Sequence, residues 1–349
     1  MNRIVIAAAA LALLTPSAAW SMGQQAKKGP TVHTFTAPED AFLVSSYAFE
    51  SDGEILLVDA QMVKPQVDKL IEQVKKIPGK VTTIYITHAH PDHYLGLPWL
   101  KTAFPQAKIV ADADTVDRIA AEGAQTLAWF QKDFMNGQLA SVLPTSVVTP
   151  EKLTGNKLKV GSAEIEILSF ADAEAKGAHA LWHAQTGSLI TGDLAFNKVH
   201  LWLKETKPEG WIKAIEALEK MPVQKVYPGH GEPGGKEILA SNKSYLQAFD
   251  AAVKSSKDGA ALAKTVKESN AGWRVAPIVD FAVPTYFSAP AEGTATDAKD
   301  GVKTETKTDS KTESKSDAKP GAKSDAKSDA KSESKTDAGK ADAKKTGAK

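Results

Sequence analysis

Three imidazoles and one carboxylate fall within six consecutive positions of this chain, at His88, His90, Asp92 and His93. They follow directly on Thr82–Ile86, a β-branched and aromatic run that predicts a strand, so they occupy a loop at a strand end. So many metal-capable groups on one short loop would repel one another or stay unpaired if they were buried without a cation. Neutral imidazole and carboxylate suit Zn²⁺, and also Fe or Mn. The run predicts a metal site.

The N-terminus has the pattern of an export signal. Arg3 precedes an apolar run, Ile4–Leu14, and Ala19-Trp20-Ser21 offers a small-x-small cleavage site. Because this run is well short of the roughly 20 residues needed to span a bilayer, we expect residues 1–21 to be a removed signal peptide. No membrane anchor would then remain, and the mature protein would be periplasmic or secreted.

The C-terminus, residues 294–349, is a low-complexity tail rich in Lys, Asp, Ser and Ala, with Val302 as its lone large apolar residue. Such a segment buries too little apolar surface to offset the conformational entropy lost on ordering, so we expect the tail to be disordered. Basic and acidic residues alternate there, and the whole chain has a net charge of +1, so nothing favours a nucleic-acid partner. The chain has no cysteine, which restricts any metal site to His, Asp and Glu.

Residues 22–293 have the size of one large α/β domain, and their elements follow a mixed order. Short runs such as Phe42–Val44 and Ile55–Val58 predict strands, and helical periodicity marks Val67–Ile77. Alternating patterns around Gly161-Ser162 and Gln185–Gly187 predict two hairpins. This order suits two mixed sheets packed face to face with helices outside, and active residues in the loops at strand ends.

The motif resembles the signature of the metallo-β-lactamase superfamily, and the resemblance continues through Gly192-Asp193 and Gly229-His230-Gly231 in matching order. It implies the αββα sandwich of that family and a dinuclear centre. The implied first site uses His88 and His90, the implied second site uses Asp92, His93 and His230, and Asp193 bridges them. Zinc is the implied metal, with Mn or Fe as alternatives.

The chain departs from the family pattern at the ligand that closes the first site. Family members place a His in a turn before the hairpin that leads to Gly-Asp, whereas strand register puts Glu174 at this position. A carboxylate ligates Zn²⁺ at about the same distance as imidazole, roughly 2.0–2.2 Å. His179, a few residues later, is the competing candidate. We predict Glu174 as the ligand.

The resemblance implies a hydrolase that uses a metal-bound hydroxide to cleave an ester, thioester, amide or lactam bond of a small molecule, with Asp92 orienting the attacking oxygen. A non-hydrolytic or redox metal-binding member of the same fold is one alternative, and a binding protein that uses its charged tail is another. Trp129, Phe130, Phe134 and Met135 form either a lid over the pocket or part of the core. His200 either approaches the substrate or is structural.

Overall fold

Two β-sheets form within the part of the chain that the computed structural model describes, residues 29–205 and 208–287. The predicted signal peptide, residues 1–21, and the predicted tail, residues 294–349, lie outside these residues. Both therefore stay predictions, as do the domain boundaries at 22 and 293.

The first sheet has six strands, in the spatial order of the sequence. They are β1 (Thr31–Thr36), β2 (Ser45–Ser51), β3 (Glu54–Val58), β4 (Lys80–Ile86), β5 (Lys108–Ala111) and β6 (Glu151–Lys152). The first three pair antiparallel, while β3 through β6 run parallel. The carboxyl ends of β3 and β4 therefore meet at the same edge of the sheet, which places the residues that follow them side by side.

The second sheet has five strands, in the order β11-β10-β9-β8-β7. They are β7 (Lys157–Val160), β8 (Ala163–Asp172), β9 (Lys176–His183), β10 (Ser188–Phe196) and β11 (Lys225–His230). Strands β7 through β10 form consecutive antiparallel hairpins, and β11 pairs parallel to β10. Both hairpins predicted from the alternating patterns are present.

Eight α-helices flank the sheets within the described residues. They are α1 (Lys64–Val74), α2 (Pro91–Tyr94), α3 (Leu97–Ala103), α4 (Ala113–Lys132), α5 (Pro208–Glu219), α6 (Glu237–Ser255), α7 (Gly259–Ser269) and α8 (Pro277–Ala282). Short 3-10 helices cover Glu39–Ala41, Phe134–Gly137, Ala140–Val142 and Val283–Tyr286. None of the described helices combines the length and apolarity needed to cross a membrane.

Three apolar clusters hold the layers together. One lies between the sheets, where Tyr47 of β2 meets Tyr227 of β11 edge to face with ring centroids 5.3 Å apart. A second joins the outer face of the first sheet to α1 and α3, and includes the fully buried Val67. The third joins the second sheet to α5 through α8, and includes Trp211. The predicted αββα sandwich is confirmed.

One local prediction was wrong. Phe42–Val44 is not a strand, because Phe42 and Leu43 adopt left-handed backbone angles (φ of 61° and 58°) and only Val44 forms an isolated bridge, to His230. Helix α4, by contrast, continues without a break through Gly123. A side chain at position 123 would press to 3.1 Å against Val147, so glycine permits close packing there.

Candidate metal centre

The His88–His93 run is positioned by the end of β4. Strand β4 stops at Ile86, and the Thr87 backbone N–H and hydroxyl both donate to the Asp59 carboxylate at the adjacent end of β3. Pro91 then starts the short helix α2, since its fixed φ suits a first helical position. As a result His88 and His90 come from the loop, while Asp92 and His93 project from the first turn of α2.

Glu174 lies at the tip of the hairpin that joins β8 to β9. Asp172 pairs with Lys176, so only Ala173, Glu174 and Ala175 make the connection. All three are fully buried, and the Glu174 carboxylate points into the protein rather than into solvent. A hairpin tip of this kind is ordinarily exposed. Burial of a carboxylate here requires either protonation or a positive partner.

Asp193 and His230 come from neighbouring strands of the second sheet. Asp193 follows Gly192 in β10, and His230 ends β11 after Gly229. A Cβ at position 229 would lie 2.0 Å from the Asp193 carboxylate. Glycine is therefore required for the backbone of β11 to approach this side chain so closely.

The structure brings all seven predicted ligands together in two groups. One group is His88, His90, Glu174 and Asp193, and the other is Asp92, His93 and His230, with one ligand atom of each residue within 4.8 Å of the others in its group. The Asp193 carboxylate lies between the groups, 3.5 Å from His88 Nε2 and 3.3 Å from His230 Nε2. This is the position predicted for the bridging ligand.

The hydrogen bonds around His88, His93 and His230 direct the second ring nitrogen of each residue into the centre. His93 Nδ1 donates to Asp59 and His230 Nδ1 donates to the Phe42 carbonyl, at 2.9 and 2.7 Å. The Thr87 hydroxyl donates to Asp59, so it accepts from His88 Nδ1 at 3.0 Å. A neutral imidazole that donates through Nδ1 keeps a lone pair on Nε2. His88 Nε2 lies 2.9 Å from His90 Nδ1, whereas the Nε2 atoms of His93 and His230 lie 3.1 and 3.3 Å from the Asp193 carboxylate.

These facing lone pairs test whether the residues fit a cation. His93 Nε2 and Asp193 Oδ1 lie 3.1 Å apart, and both atoms are buried without a hydrogen-bond partner, as are both Glu174 carboxylate oxygens. Unpaired acceptors of this kind are expensive when buried. Divalent cations held among His and carboxylate ligands would satisfy all of them. The donor set therefore fits a metal centre; the identity and number of ions stay predictions.

The electrostatics of the cluster lead to the same conclusion. Burial and the neighbouring His93 lower the pKa of His88 to about 4, which favours the neutral form that ligates metal. Burial raises the pKa of Glu174 well above its usual range. Although burial opposes it, His230 and His93 hold the pKa of Asp193 well below its usual range. Although burial opposes it, the neighbouring carboxylates raise the pKa of His90, His93 and His230 above the usual range, so that protons on these rings supply the positive charge that a bound metal ion would otherwise supply.

Asp59 supports the centre and was missed by sequence reasoning. Its backbone is left-handed (φ of 62°), and its buried carboxylate accepts from both Thr87 and His93. A carboxylate that receives the outer N–H of a ligand histidine fixes the orientation of the ring and raises its basicity. The only sequence signal for this role was an acidic residue directly after the predicted strand Ile55–Val58.

Glu205 is a second supporting residue that sequence reasoning did not single out. Its Oε1 lies 3.2 Å from His90 Nε2, and its Oε2 lies 2.7 Å from Arg118 of α4. Although burial alone would raise it, His90 and Arg118 hold the pKa of Glu205 well below its usual range. Glu205 therefore links a candidate first-site ligand to the helix that borders the centre.

Substitution Glu205→Gln is expected to weaken metal binding at the first site by about 10- to 100-fold, because the neutral amide no longer increases the basicity of His90. Titration against a chromophoric chelator measures this affinity. Glu209→Gln is the matched control, since Glu209 is exposed in the first turn of α5. Equal affinities for wild type and both variants would show that Glu205 does not act on the metal.

Two other histidines lie apart from the ligand groups. His179 is buried in β9, where its Nδ1 lies 3.1 Å from the Thr87 carbonyl and its Nε2 lies 3.7 Å from Asp112. His200 is buried, with Nδ1 2.9 Å from the Tyr245 hydroxyl and its ring against Trp273. Of the alternatives open for these residues, the structure gives His179 a hydrogen-bonding role and His200 a packing role.

The stability of the protein is expected to fall on acidification partly because of His200. Burial and nearby Lys267 lower the pKa of His200 to about 4, so the unfolded chain binds a proton more readily than the folded protein between about pH 6.5 and 4. The contribution of His200 to the free energy of unfolding is therefore fully present above pH 6.5 and is lost as the pH falls toward 4. This contribution is on the order of 1–3 kcal/mol. Urea unfolding at pH 7.5 and 4.5 should show a smaller pH difference for His200→Asn than for wild type. Identical differences would contradict the prediction.

A cavity of about 820 Å³ opens onto the centre, and His90, Asp92 and Asp193 belong to its wall. Trp129, Phe130 and Phe134 also line it. These aromatic residues therefore border the cavity over the centre, as the lid interpretation required. The side chain of Met135 is not described.

Comparison with known proteins gives consistent results. A model of the metallo-beta-lactamase superfamily matches residues 40–230, more than half of the chain, and this range holds all seven candidate ligands. Ribonuclease Z of Pyrococcus abyssi is 25% identical over 248 residues, which are 66% of this chain and 76% of that relative. Ribonuclease Z of Pyrococcus horikoshii is 26% identical over 231 residues, 62% and 71% of the two chains.

A solved structure shares the fold. A metallo-beta-lactamase family protein from Thermus thermophilus superposes with a TM-score of 0.57 at 18% identity, covering 74% of this chain and 91% of that one. At this identity the likeness supports the arrangement of sheets and helices alone.

Proposed function

Because the chain belongs to the metallo-beta-lactamase superfamily, whose members include hydrolases, we propose that it is an exported metal-dependent hydrolase. Its substrate is a small molecule with an ester, thioester, amide or lactam bond. The observation that carries the proposal is the set of buried atoms of His93, Glu174 and Asp193 without hydrogen-bond partners, in a centre whose His90, Asp92 and Asp193 line a large cavity. Bound divalent cations would pair all of these atoms.

The ligands would have different roles in such a centre. Bound divalent cations would lower the pKa of water toward neutrality and stabilise the charge that develops on the scissile group. Asp92 both belongs to the second ligand group and lines the cavity, and its side chain is 18% exposed whereas those of His93 and Asp193 are at most 3% exposed. Asp92 is therefore the ligand placed to orient an attacking oxygen toward substrate.

Zinc is the proposed metal, with Mn²⁺ or Fe²⁺ as alternatives, and two ions per chain is the proposed stoichiometry. The two ligand groups, with Asp193 between them, support two ions rather than one. Glu174 adds negative charge to the first site, which favours harder ions than an all-histidine site would. A redox or non-hydrolytic role with the same ligands would appear as bound metal without hydrolysis.

Export to the periplasm or outside the cell is the remaining part of the proposal. It rests on the residues of the first 21 positions, and N-terminal sequencing of protein from the native host tests it: a mature start near Met22 is expected. The absence of a nucleic-acid partner also stays a prediction, because two relatives are named ribonuclease Z.

A hydrolase panel with controlled metal content tests the activity. We expect the metal-loaded protein to cleave at least one of four chromogenic classes (ester, thioester, amide or lactam), to lose this activity after chelation, and to recover it when metal is added back. Stoichiometric metal with no cleavage in any class would overturn the hydrolase assignment, as would activity that survives complete removal of metal.

A further inference from the structure

The cavity over the centre has a wall of aromatic side chains in mutual contact. Phe134 is the hub, with its ring centroid 4.7 Å from that of Phe130, 5.3 Å from Trp129, 5.6 Å from Phe281 and 6.2 Å from Phe42. These five residues, called the aromatic wall below, come from α4, α8, the 3-10 helix Phe134–Gly137 and the turn after Glu39–Ala41. Four separate segments therefore contribute apolar surface to one side of the cavity.

Part of the aromatic wall is left open to solvent. Trp129 and Phe281 are 43% and 50% exposed. Among the described residues, Phe287 is the one other large apolar side chain that is exposed to solvent. Exposed apolar surface gathered on a concave site marks a place where a ligand binds. Because His90, Asp92 and Asp193 line the same cavity, an apolar group against the wall lies beside the reacting bond.

Part of the aromatic wall lies outside the segment that the superfamily model matches. Phe281 and its helix α8 come after residue 230, where the superfamily match ends. Pro277 and Ile278 of the same helix line the cavity as well. Residues outside the segment shared with the family can give this protein a substrate preference of its own.

The charges at the cavity oppose a polyanionic substrate. Glu39, Asp40 and Glu122 line it, and a phosphodiester chain would meet these carboxylates unfavourably. Arg118 is already paired, with Glu205 at 2.7 Å and Glu122 at 3.1 Å. Lys204, which lies over the Trp202 ring at 5.8 Å, is the remaining basic residue in the described wall of the cavity. One lysine cannot neutralise a polynucleotide backbone.

We propose that the substrate is a neutral small molecule whose scissile acyl bond carries a bulky apolar group, and that the aromatic wall binds this group. The volume of about 820 Å³ accommodates such a molecule entire. The proposal rests on the hydrolase function proposed above, and it deepens that function by assigning its substrate class. Ribonucleic acid, the substrate class indicated by the names of two relatives, is the alternative.

The test uses p-nitrophenyl acetate, butyrate and octanoate as substrates, and N-phenyl-1-naphthylamine as a fluorescent binding probe for the metal-loaded protein. We expect kcat/KM to rise at least tenfold from acetate to octanoate. Trp129→Ala and Phe281→Ala should each lower the octanoate-to-acetate ratio at least fivefold and weaken probe binding. Both side chains are partly exposed, so their loss leaves the core intact. Phe287→Ala is the matched control, because Phe287 is 38% exposed but does not line the cavity, and it should match wild type.

The outcomes separate this inference from the proposed function. Hydrolysis without a chain-length preference, or with a preference that both cavity substitutions leave unchanged, overturns the substrate class while the hydrolase assignment stands. No ester hydrolysis, combined with probe binding that weakens in Trp129→Ala and Phe281→Ala, overturns an ester as the scissile bond and supports an apolar ligand at the aromatic wall. Competitive inhibition by unstructured RNA at micromolar concentration, with no probe binding, favours the polyanionic alternative and sinks the proposal.

Discussion

Replacing Asp193 with alanine is expected to remove both metal ions and to lower hydrolytic activity by about a thousandfold or more, because the metals supply both the nucleophile and the stabilisation of developing charge. Asp193 is the one residue whose carboxylate reaches both ligand groups, with Oδ1 3.1 Å from His93 and Oδ2 3.5 Å from His88. Loss of any other ligand affects one group directly. Loss of Asp193 weakens both and leaves the positive ions without their shared counter-charge.

Asp193→Asn separates charge from shape in this experiment. The amide is nearly isosteric with the carboxylate, so it keeps the contact with the close-approaching backbone at Gly229 but removes the negative charge. We expect Asp193→Asn to lose metal almost as completely as Asp193→Ala, with a thermal melting curve that shows a folded protein. Retention of both ions and full activity in either variant would contradict the bridging assignment.

The second large effect is expected at Glu174. Substitution Glu174→Ala should remove the first-site metal preferentially, because it leaves two histidines and a shared carboxylate where a tetrahedral ion needs four donors. Glu174→His should retain a metal at this site and shift its preference from Mn²⁺ or Fe²⁺ toward Zn²⁺, since it restores the all-histidine arrangement. Metal content of each variant, after loading with an equimolar mixture of the three ions, measures both effects.

His179→Ala is the matched control for Glu174. The residue lies five positions further along the same hairpin and is similarly buried, but its ring faces the Thr87 carbonyl and Asp112. It should therefore keep both metals. If His179→Ala loses a metal and Glu174→Ala keeps two, the hairpin in solution has a different register, and His179 is the ligand.

The ligands were predictable because each is tied to a local pattern. Four of them fall within six positions after a strand, and Asp193 and His230 follow glycines at the ends of predicted strands. Glu174 depended on strand register, and the pairing of Asp172 with Lys176 puts it at the hairpin tip as expected. A period of two along a strand fixes which residue faces the core, so counting along the hairpin was informative.

The residues that support the ligands were not predictable in the same way. Asp59 contacts His93 across 34 positions, and Glu205 contacts His90 from a loop with no periodicity of its own. Such contacts depend on how the two sheets and α4 pack, which no local pattern encodes. The turn at Phe42 and Leu43 was wrongly predicted as a strand for a related reason. Its backbone is left-handed and does not join a sheet; instead, Phe42 lines the cavity and its carbonyl accepts a hydrogen bond from His230.

We propose that seven residues of this chain hold two metal ions. The most direct test is the metal content of the purified full chain by inductively coupled plasma mass spectrometry, after loading with Zn²⁺ and exhaustive dialysis. We expect about two ions per chain in wild type, about one in Glu174→Ala and close to none in Asp193→Ala, since Asp193 is the residue that lies between the two ligand groups. Wild-type protein that retains no metal after loading, or that retains two ions with Asp193 replaced by alanine, would contradict it.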